Sequence, residues 1–373
     1  MTHLGIAQEI SKNHSHNQPI RKVDAMPEKA TAMIEMGLDT FGDVTVDKGG
    51  KLLSQAEVLR NVVEEGVLAD QVGIDFIGVG EHHRDDFAVS APDVVLAAIA
   101  GRTKRIHLGS AVTVLSSDDP IRVFQRFSTL DALSNGRAEV ILGRGSFTES
   151  FPLFGYSLND YERLFSEKLD LFAELLKHGP VNWQGSVRPE LKDQLVYPPV
   201  ENGTLKTWIG VGGSPESVVR AVSYGLPLTL AIIGGDPVRF RQFVDLYHRA
   251  AEQLQKPVLP IGVHSPGHIA ETDEEARAQL WPGYKALHDR IGGERGWGPT
   301  SPARFNAEAD MGSLYVGSPE TVAKKIVKTV KALGAQRFDM KYSSGTLAHE
   351  HMMASIELYG TKVMPMVRDL LAD

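Results

Sequence analysis

The stretch DFIGVGEHHRDDF, from Asp75 to Phe87, decides how the rest of the chain reads. Its apolar, β-branched start predicts a strand, and strand side chains alternate between two faces. Phe76, Gly78, Gly80 and His82 then share one face; Ile77, Val79, Glu81 and His83 share the other. Ile77 and Val79 suit packing against helices, so the two glycines and His82 face the opposite way. Glycine at such positions leaves room for something bulky to approach the backbone.

Seven further runs have the same character. They are IEMGLDTFG from Ile34, RIHLGSAVTVL from Arg105, AEVILGRG from Ala138, TWIGVGG from Thr207, LPLTLAIIGG from Leu226, PIGVHSPGHIA from Pro260 and RFDMKYSSG from Arg337. Amphipathic stretches separate them. Several begin with Ser, Asn or Asp, often followed by Pro, and several end in Gly, which are helix start and stop signals. Eight strands alternating with eight helices predict an α/β chain folded as a single (β/α)8 TIM-type barrel with long loop insertions. An open doubly wound sheet is the alternative, but no GxGxxG follows the first strand. Residues 178–206 and 281–312 are the two long connections, and 281–312 is the candidate lid. Residues 1–32 read as a polar, flexible extension that includes the metal-like tract KNHSHNQ, with His14 and His16. Residues 33–373 read as one domain.

Composition narrows the function. The 373 residues are 42% hydrophobic and 23% charged, as in a folded globular protein. The net charge of −8 disfavours nucleic acid and anionic membrane surfaces as partners. With 0 cysteines, disulfides, thiol nucleophiles, cysteine-held zinc and iron–sulfur clusters drop out. No signal-peptide core and no apolar run of about 20 residues is present, so a cytoplasmic setting is expected.

Active sites on such barrels lie at the C-terminal ends of the strands. His82 stands there, where a near-neutral histidine suits proton transfer; a histidine satisfied by core packing is equally open. Glu81, His82 and His83 are disfavoured as a metal group, because neighbours on a strand point opposite ways. In LGRGSF, Arg144 either holds an anion or is a surface arginine in a turn. In VGGSPESVV, Gly212 and Gly213 lead into a helix with Ser214 as N-cap and Pro215 at its first position. That turn is a ready phosphate seat or an ordinary cap. Two anion-friendly features on one rim favour a phosphorylated cofactor.

GEHHRDDFAVSAPDVVLAAIAGRTKRIHLGSAVTVL followed by DDPIRVFQRFSTLDALSNGRAEVILGRGSF resembles the bacterial luciferase-like flavin monooxygenases. The likeness covers roughly residues 33–373 and includes GGSPES, SPETVAKKI and IELYGTKVMPMVR. It implies a TIM-type barrel using reduced FMN, or in some branches a deazaflavin, with dioxygen to oxidise a small organic substrate. It also implies a partner flavin reductase and a homodimer. By position, His82 matches the catalytic histidine, and Arg144 and Arg163 match phosphate-contacting arginines. Gly212, Gly213, Ser214 and Ser217 match the phosphate turn, and a non-prolyl cis peptide joins Ala111, under the flavin ring, to Val112. The chain departs from luciferase at Gly212 and Gly213, where luciferase has an acid–serine pair, so backbone amides must carry more of the phosphate. Gly143 replaces luciferase's cysteine near the flavin, so light emission is not implied. Two rivals stand beside this reading. One is a non-catalytic flavin carrier on the same fold. The other is a metal-dependent barrel hydrolase using His82, His264 and Asp339, although MGLDTFGD lacks the usual histidine pair.

Overall fold

A computed structural model describes residues 33–47, 49–201, 203–296 and 298–372. The extension 1–32, with His14 and His16, lies outside the described residues. Each of the eight expected strands is present. They are β1 (Glu35–Thr40), β2 (Phe76–Val79), β3 (His107–Ser110), β4 (Ala138–Gly143), β5 (Lys206–Val211), β6 (Leu228–Ala231), β7 (Ile261–Ile269) and β8 (Arg337–Lys341). Each pairs in parallel with the next, and β8 returns to β1, which closes the barrel. Closure removes the sheet edges and rules out the open doubly wound alternative.

Register follows the expected alternation. Gly37 pairs with Phe76 and Asp39 with Gly78, while Phe76 pairs with His107 and Gly78 with Gly109. These residues face the barrel axis. Ile77 and Val79 face outward into the fully buried layer between strands and helices. The floor of the barrel is a buried ionic plug. Arg337 donates to Asp339 at 2.8 Å and to Glu139 at 2.7 Å, with its guanidinium 3.6 Å from the centre of the Phe76 ring. Lys206 and the Trp208 indole donate to Glu139 at 2.7 and 3.1 Å. Burial alone would raise the Glu139 carboxyl, but Arg337, His107 and Lys206 outweigh it and hold it far below the ordinary range.

Helices cover the outside. They are α1 (Gln55–Gln71), α2 (Pro92–Ala100), α3 (Pro120–Ser134), α4 (Tyr161–Leu175), α5 (Pro215–Tyr224), α6 (Arg241–Gln253) and α7 (Pro319–Leu333), with a broken helix from His349 to Ala372 after β8. Their ends obey the expected cap chemistry. Ser54 and Glu57 form a capping box on α1, and Gly225 and Gly334 close α5 and α7 in the left-handed conformation. No helix among the described residues is long and apolar enough to cross a membrane.

The two long connections are more ordered than expected. Residues 178–206 contain an antiparallel pair, Val181–Trp183 with Leu191–Gln194. The candidate lid 281–312 is mostly helical: one helix runs Asp273–Arg295 straight through Pro282, and a second spans Pro302–Asp310. Both lie between β7 and α7, stacked on one another through Trp281 and Phe305, whose rings are 5.2 Å apart.

Candidate active site

The mouth of the barrel is built from the strand ends. The peptide between Ala111 and Val112, just past β3, is cis, as the resemblance implied. The glycines around it make room for this segment and not, as the alternation of β2 alone suggested, for an outside ligand. A Cβ on Gly78 would stand 2.7 Å from Ala111 Cβ, and one on Gly143 would stand 2.5 Å from Val112 Cγ2. One on Gly210 would stand 3.2 Å from Val112 Cγ1. Ala111 and Val112 therefore form the surface of the mouth, seated in notches cut by β2, β4 and β5. Glu81 fixes the segment from the side: its backbone N–H donates to Val112 O, and its carboxylate accepts from Val114 N at 3.0 Å.

One wall is aromatic. The His82 ring lies 4.5 Å from Phe41, 4.5 Å from Phe87 and 5.0 Å from Phe147. Neither ring nitrogen has a hydrogen-bond partner among the described residues. Burial holds His82 down at about 3, the Asp43 charge opposing and Lys341, His83 and Arg84 reinforcing it. A neutral imidazole results at pH 7, with one ring N–H and no imidazolium proton to give. His83 points the other way, bonds Glu81 at 2.9 Å and meets the edge of Phe154. The alternation thus extends past the end of β2.

The opposite rim is basic. Arg144, beyond β4, pairs with Glu162 and lies 5.5 Å from the centre of the Tyr161 ring. Arg220 of α5 donates to the other oxygen of Glu162 at 3.2 Å. Arg220 is only 4% exposed, yet its Nε and Nη1 have no hydrogen-bond partner among the described residues. It sits one helical turn after Ser217 and leans toward the helix N-terminus, as helical side chains do. There Ser214 caps α5 by accepting from Ser217 N at 3.3 Å. Gly213 has φ +112°, which only glycine adopts freely, and a Cβ on Gly212 would meet nothing within 4 Å. Arg144 and the 212–217 turn therefore share a rim with Arg220, which the sequence reading did not single out. Its spacing of three from Ser217 was the available signal. Arg163 is not brought to this rim: it donates to Ser186 at 2.7 Å and to Asp160 at 2.8 Å, half exposed.

The metal-centre alternative has no geometry behind it. His264 pairs with Asp39, Asp339 with Arg337, and His82 with aromatic rings. Among the described residues no three His, Asp or Glu side chains are placed to hold an ion.

A closed parallel barrel with a walled mouth and an anion-ready rim is the architecture of a barrel enzyme with its site at the strand ends. The chain belongs to the luciferase-like monooxygenases, whose family model matches residues 40–337. It is 25% identical to the alkanal monooxygenase alpha chain of Photobacterium leiognathi, over 85% of this chain and 95% of that one. It is 27% identical to the uncharacterized protein YvbT of Bacillus subtilis, over 84% and 92%. The fold matches the monooxygenase RslO1 from Streptomyces bottropensis with TM-score 0.77 at 19% identity, covering 89% of this chain and 99% of that one. It matches the oxygenating constituent of 3,6-diketocamphane monooxygenase from Pseudomonas putida, in complex with FMN, with TM-score 0.73 at 19% identity, over 90% and 99%. An F420-dependent secondary alcohol dehydrogenase has the same fold at TM-score 0.67 and 17% identity, over 90% and 99%.

Proposed function

We propose that this chain is an FMN-dependent monooxygenase: it binds reduced FMN supplied by a separate reductase and uses dioxygen to oxygenate a small organic molecule. The observation that carries the reading is the Arg144–Arg220 pair beside the 212–217 turn. A buried guanidinium with two unpartnered nitrogens, next to an open glycine cradle, suits a phosphate dianion. Arg144, Arg220, Ser214, Ser217 and the backbone of Gly212 and Gly213 would hold the phosphate. Ala111 and the aromatic wall would meet the ring. Arg163 joins only by leaving Asp160 and Ser186.

When bound, the reduced flavin supplies the two electrons that activate dioxygen. The chain's own residues supply the surroundings. Phe41, Phe87 and Phe147 make a dry wall that keeps water from the reacting atoms. Neutral His82 packs within that wall and orients what enters. The helix Asp273–Arg295 reaches the rim from above through Arg290, Glu294 and Arg295. The same reading makes the protein a cytoplasmic homodimer; apolar Val94 on α2 and Leu133 on α3, each 65% exposed, suit a partner surface.

The FMN complex of the diketocamphane enzyme favours FMN, and the F420-dependent relative keeps a deazaflavin as the second reading. Arg144→Ala tests the phosphate seat and separates it from chance binding. Charge-assisted hydrogen bonds are worth roughly 1.5–3 kcal/mol, so the variant should bind FMN about ten-fold or more weakly. Riboflavin, without phosphate, should be little affected. Equal loss for both ligands would refute the phosphate seat. Titration with a reduced deazaflavin decides between cofactors, and oxygenated product formed from a candidate substrate with reduced FMN excludes the passive carrier.

A further inference from the structure

The inner face of the barrel carries a pair that the flavin reading leaves unused. Asp39, near the end of β1, is 1% exposed, and its Oδ2 lies 2.6 Å from Nδ1 of His264 on β7. Both residues point to the axis, one step above a glycine on their own strands: Gly37 precedes Asp39 and Gly262 precedes His264. With Nδ1–H given to Asp39, the tautomer is set and Nε2 is the working atom. Nε2 has no partner among the described residues. The imidazole keeps 14% of its surface exposed and lies parallel to the Phe41 ring at 6.3 Å, with an interplanar angle of 16°. Phe41 in turn touches His82, so His264 opens on the same mouth.

The charges around His264 come from two strands. Asp39 on β1 and Asp339 on β8 favour its cation; burial and Lys341 on β8 oppose it. Burial is the largest single influence, yet Asp39, by charge and hydrogen bond, and after it Asp339, itself pushed up to about 7 by burial, outweigh it, and His264 holds its proton more tightly than a free imidazole. His82, with only Asp43 in its favour, does the reverse. The two histidines flanking Phe41 are thus shifted in opposite directions, and the one with a carboxylate behind it is the one that holds its proton more tightly.

We propose that Asp39 and His264 form the proton-donating dyad of this mouth, His264 giving a proton at Nε2 and Asp39 acting as the positioning residue. The inference rests on the flavin reading. When the reduced FMN anion is reoxidised by dioxygen, two electrons and one proton pass from flavin to oxygen. The second proton of hydrogen peroxide then comes from His264 Nε2, and solvent restores it. In coupled turnover the same proton goes to the oxygen atom that leaves as water.

The test uses full-length protein, FMN and dioxygen, so it needs no known substrate. In the ligand-free protein, NMR titration of the His264 ring should give a midpoint above the ordinary histidine value. Asp39→Asn should lower its proton affinity about ten-fold or more. His264→Gln should bind FMN like the parent, yet reoxidise prebound reduced FMN about 10²-fold more slowly, at the lower end of acid–base contributions. Asp39→Asn should fall between and move the acid side of the pH profile downward, which a merely structural role would not do. A His264→Gln variant that binds FMN and reoxidises within about threefold of the parent overturns the proposal alone. A parent protein that binds neither FMN nor a reduced deazaflavin overturns the flavin reading, and this proposal with it.

Discussion

A histidine at a barrel mouth can be held neutral by its apolar surroundings. His82 has three aromatic neighbours and, among the described residues, no hydrogen-bond partner, and burial drops it from 6.5 to about 3. The folded chain therefore refuses a proton that the unfolded chain accepts below about pH 6.5. Folding loses stability through this group as pH falls across that window, by up to about 1.4 kcal/mol per pH unit. His268, lowered to about 4 by burial, has the same sign. His264, raised, has the opposite one: its contribution is present at low pH and lost as pH rises. His82→Phe should keep the aromatic contacts and flatten the decline of the thermal midpoint between about pH 7 and pH 5. Equal declines in variant and parent would show that His82 is not the source.

At the scale of elements, the insertion between β7 and α7 is tied to the rim by charge. Arg84, after β2, donates to Asp86 at 2.9 Å, to Glu149 at 2.8 Å and to Glu294 at 2.8 Å. Arg290 reaches back to Asp85 and Asp86. Arg84→Ala should speed amide hydrogen exchange in the last turns of the helix Asp273–Arg295 and leave the barrel strands unchanged. Added salt should mimic it only weakly, because Arg84 is largely buried and its partners lie well inside a Debye length of about 8 Å. Unchanged exchange in this helix would mean that apolar packing alone holds it.

The same insertion shows where the sequence was legible and where it was not. The eight strands and their facing helices were readable, because alternation and capping are local. The helix through Pro282 was not. Trp-Pro-Gly reads as a turn, but Gly283 is there for close approach: a Cβ would stand 2.6 Å from Ser344 O, after β8. Only the tertiary contact distinguishes the two. The rim was half legible for a similar reason. Arg144 and the 212–217 turn announce themselves beside strand ends, whereas Arg220 looks like any helix residue until α4 packs over it. His264 entered the sequence reading only as a metal candidate and Asp39 not at all, because they belong to strands far apart in sequence and meet only when the barrel closes.

At the scale of the whole molecule, the plug at the barrel floor is the most exposed to single changes. Arg337 is 1% exposed and holds Glu139 and Asp339 together. Removing it leaves two buried carboxylates with reduced compensation, which in other proteins costs about 3–5 kcal/mol. Arg337→Met should lose that much in chemical denaturation, and adding Glu139→Gln should recover part of it. A loss below about 1 kcal/mol would show that the carboxylates find protons or water instead.

The notched floor of the mouth has a different consequence. Residues 78, 143 and 210 come from three strands, yet all three answer to the side chains at 111 and 112. A methyl accepted at any one of them demands a smaller neighbour there, so their fitness effects are coupled. Libraries that randomise one rim loop at a time would discard each change separately, while a combination that trims residue 112 and fills a notch reshapes the pocket without an overlap.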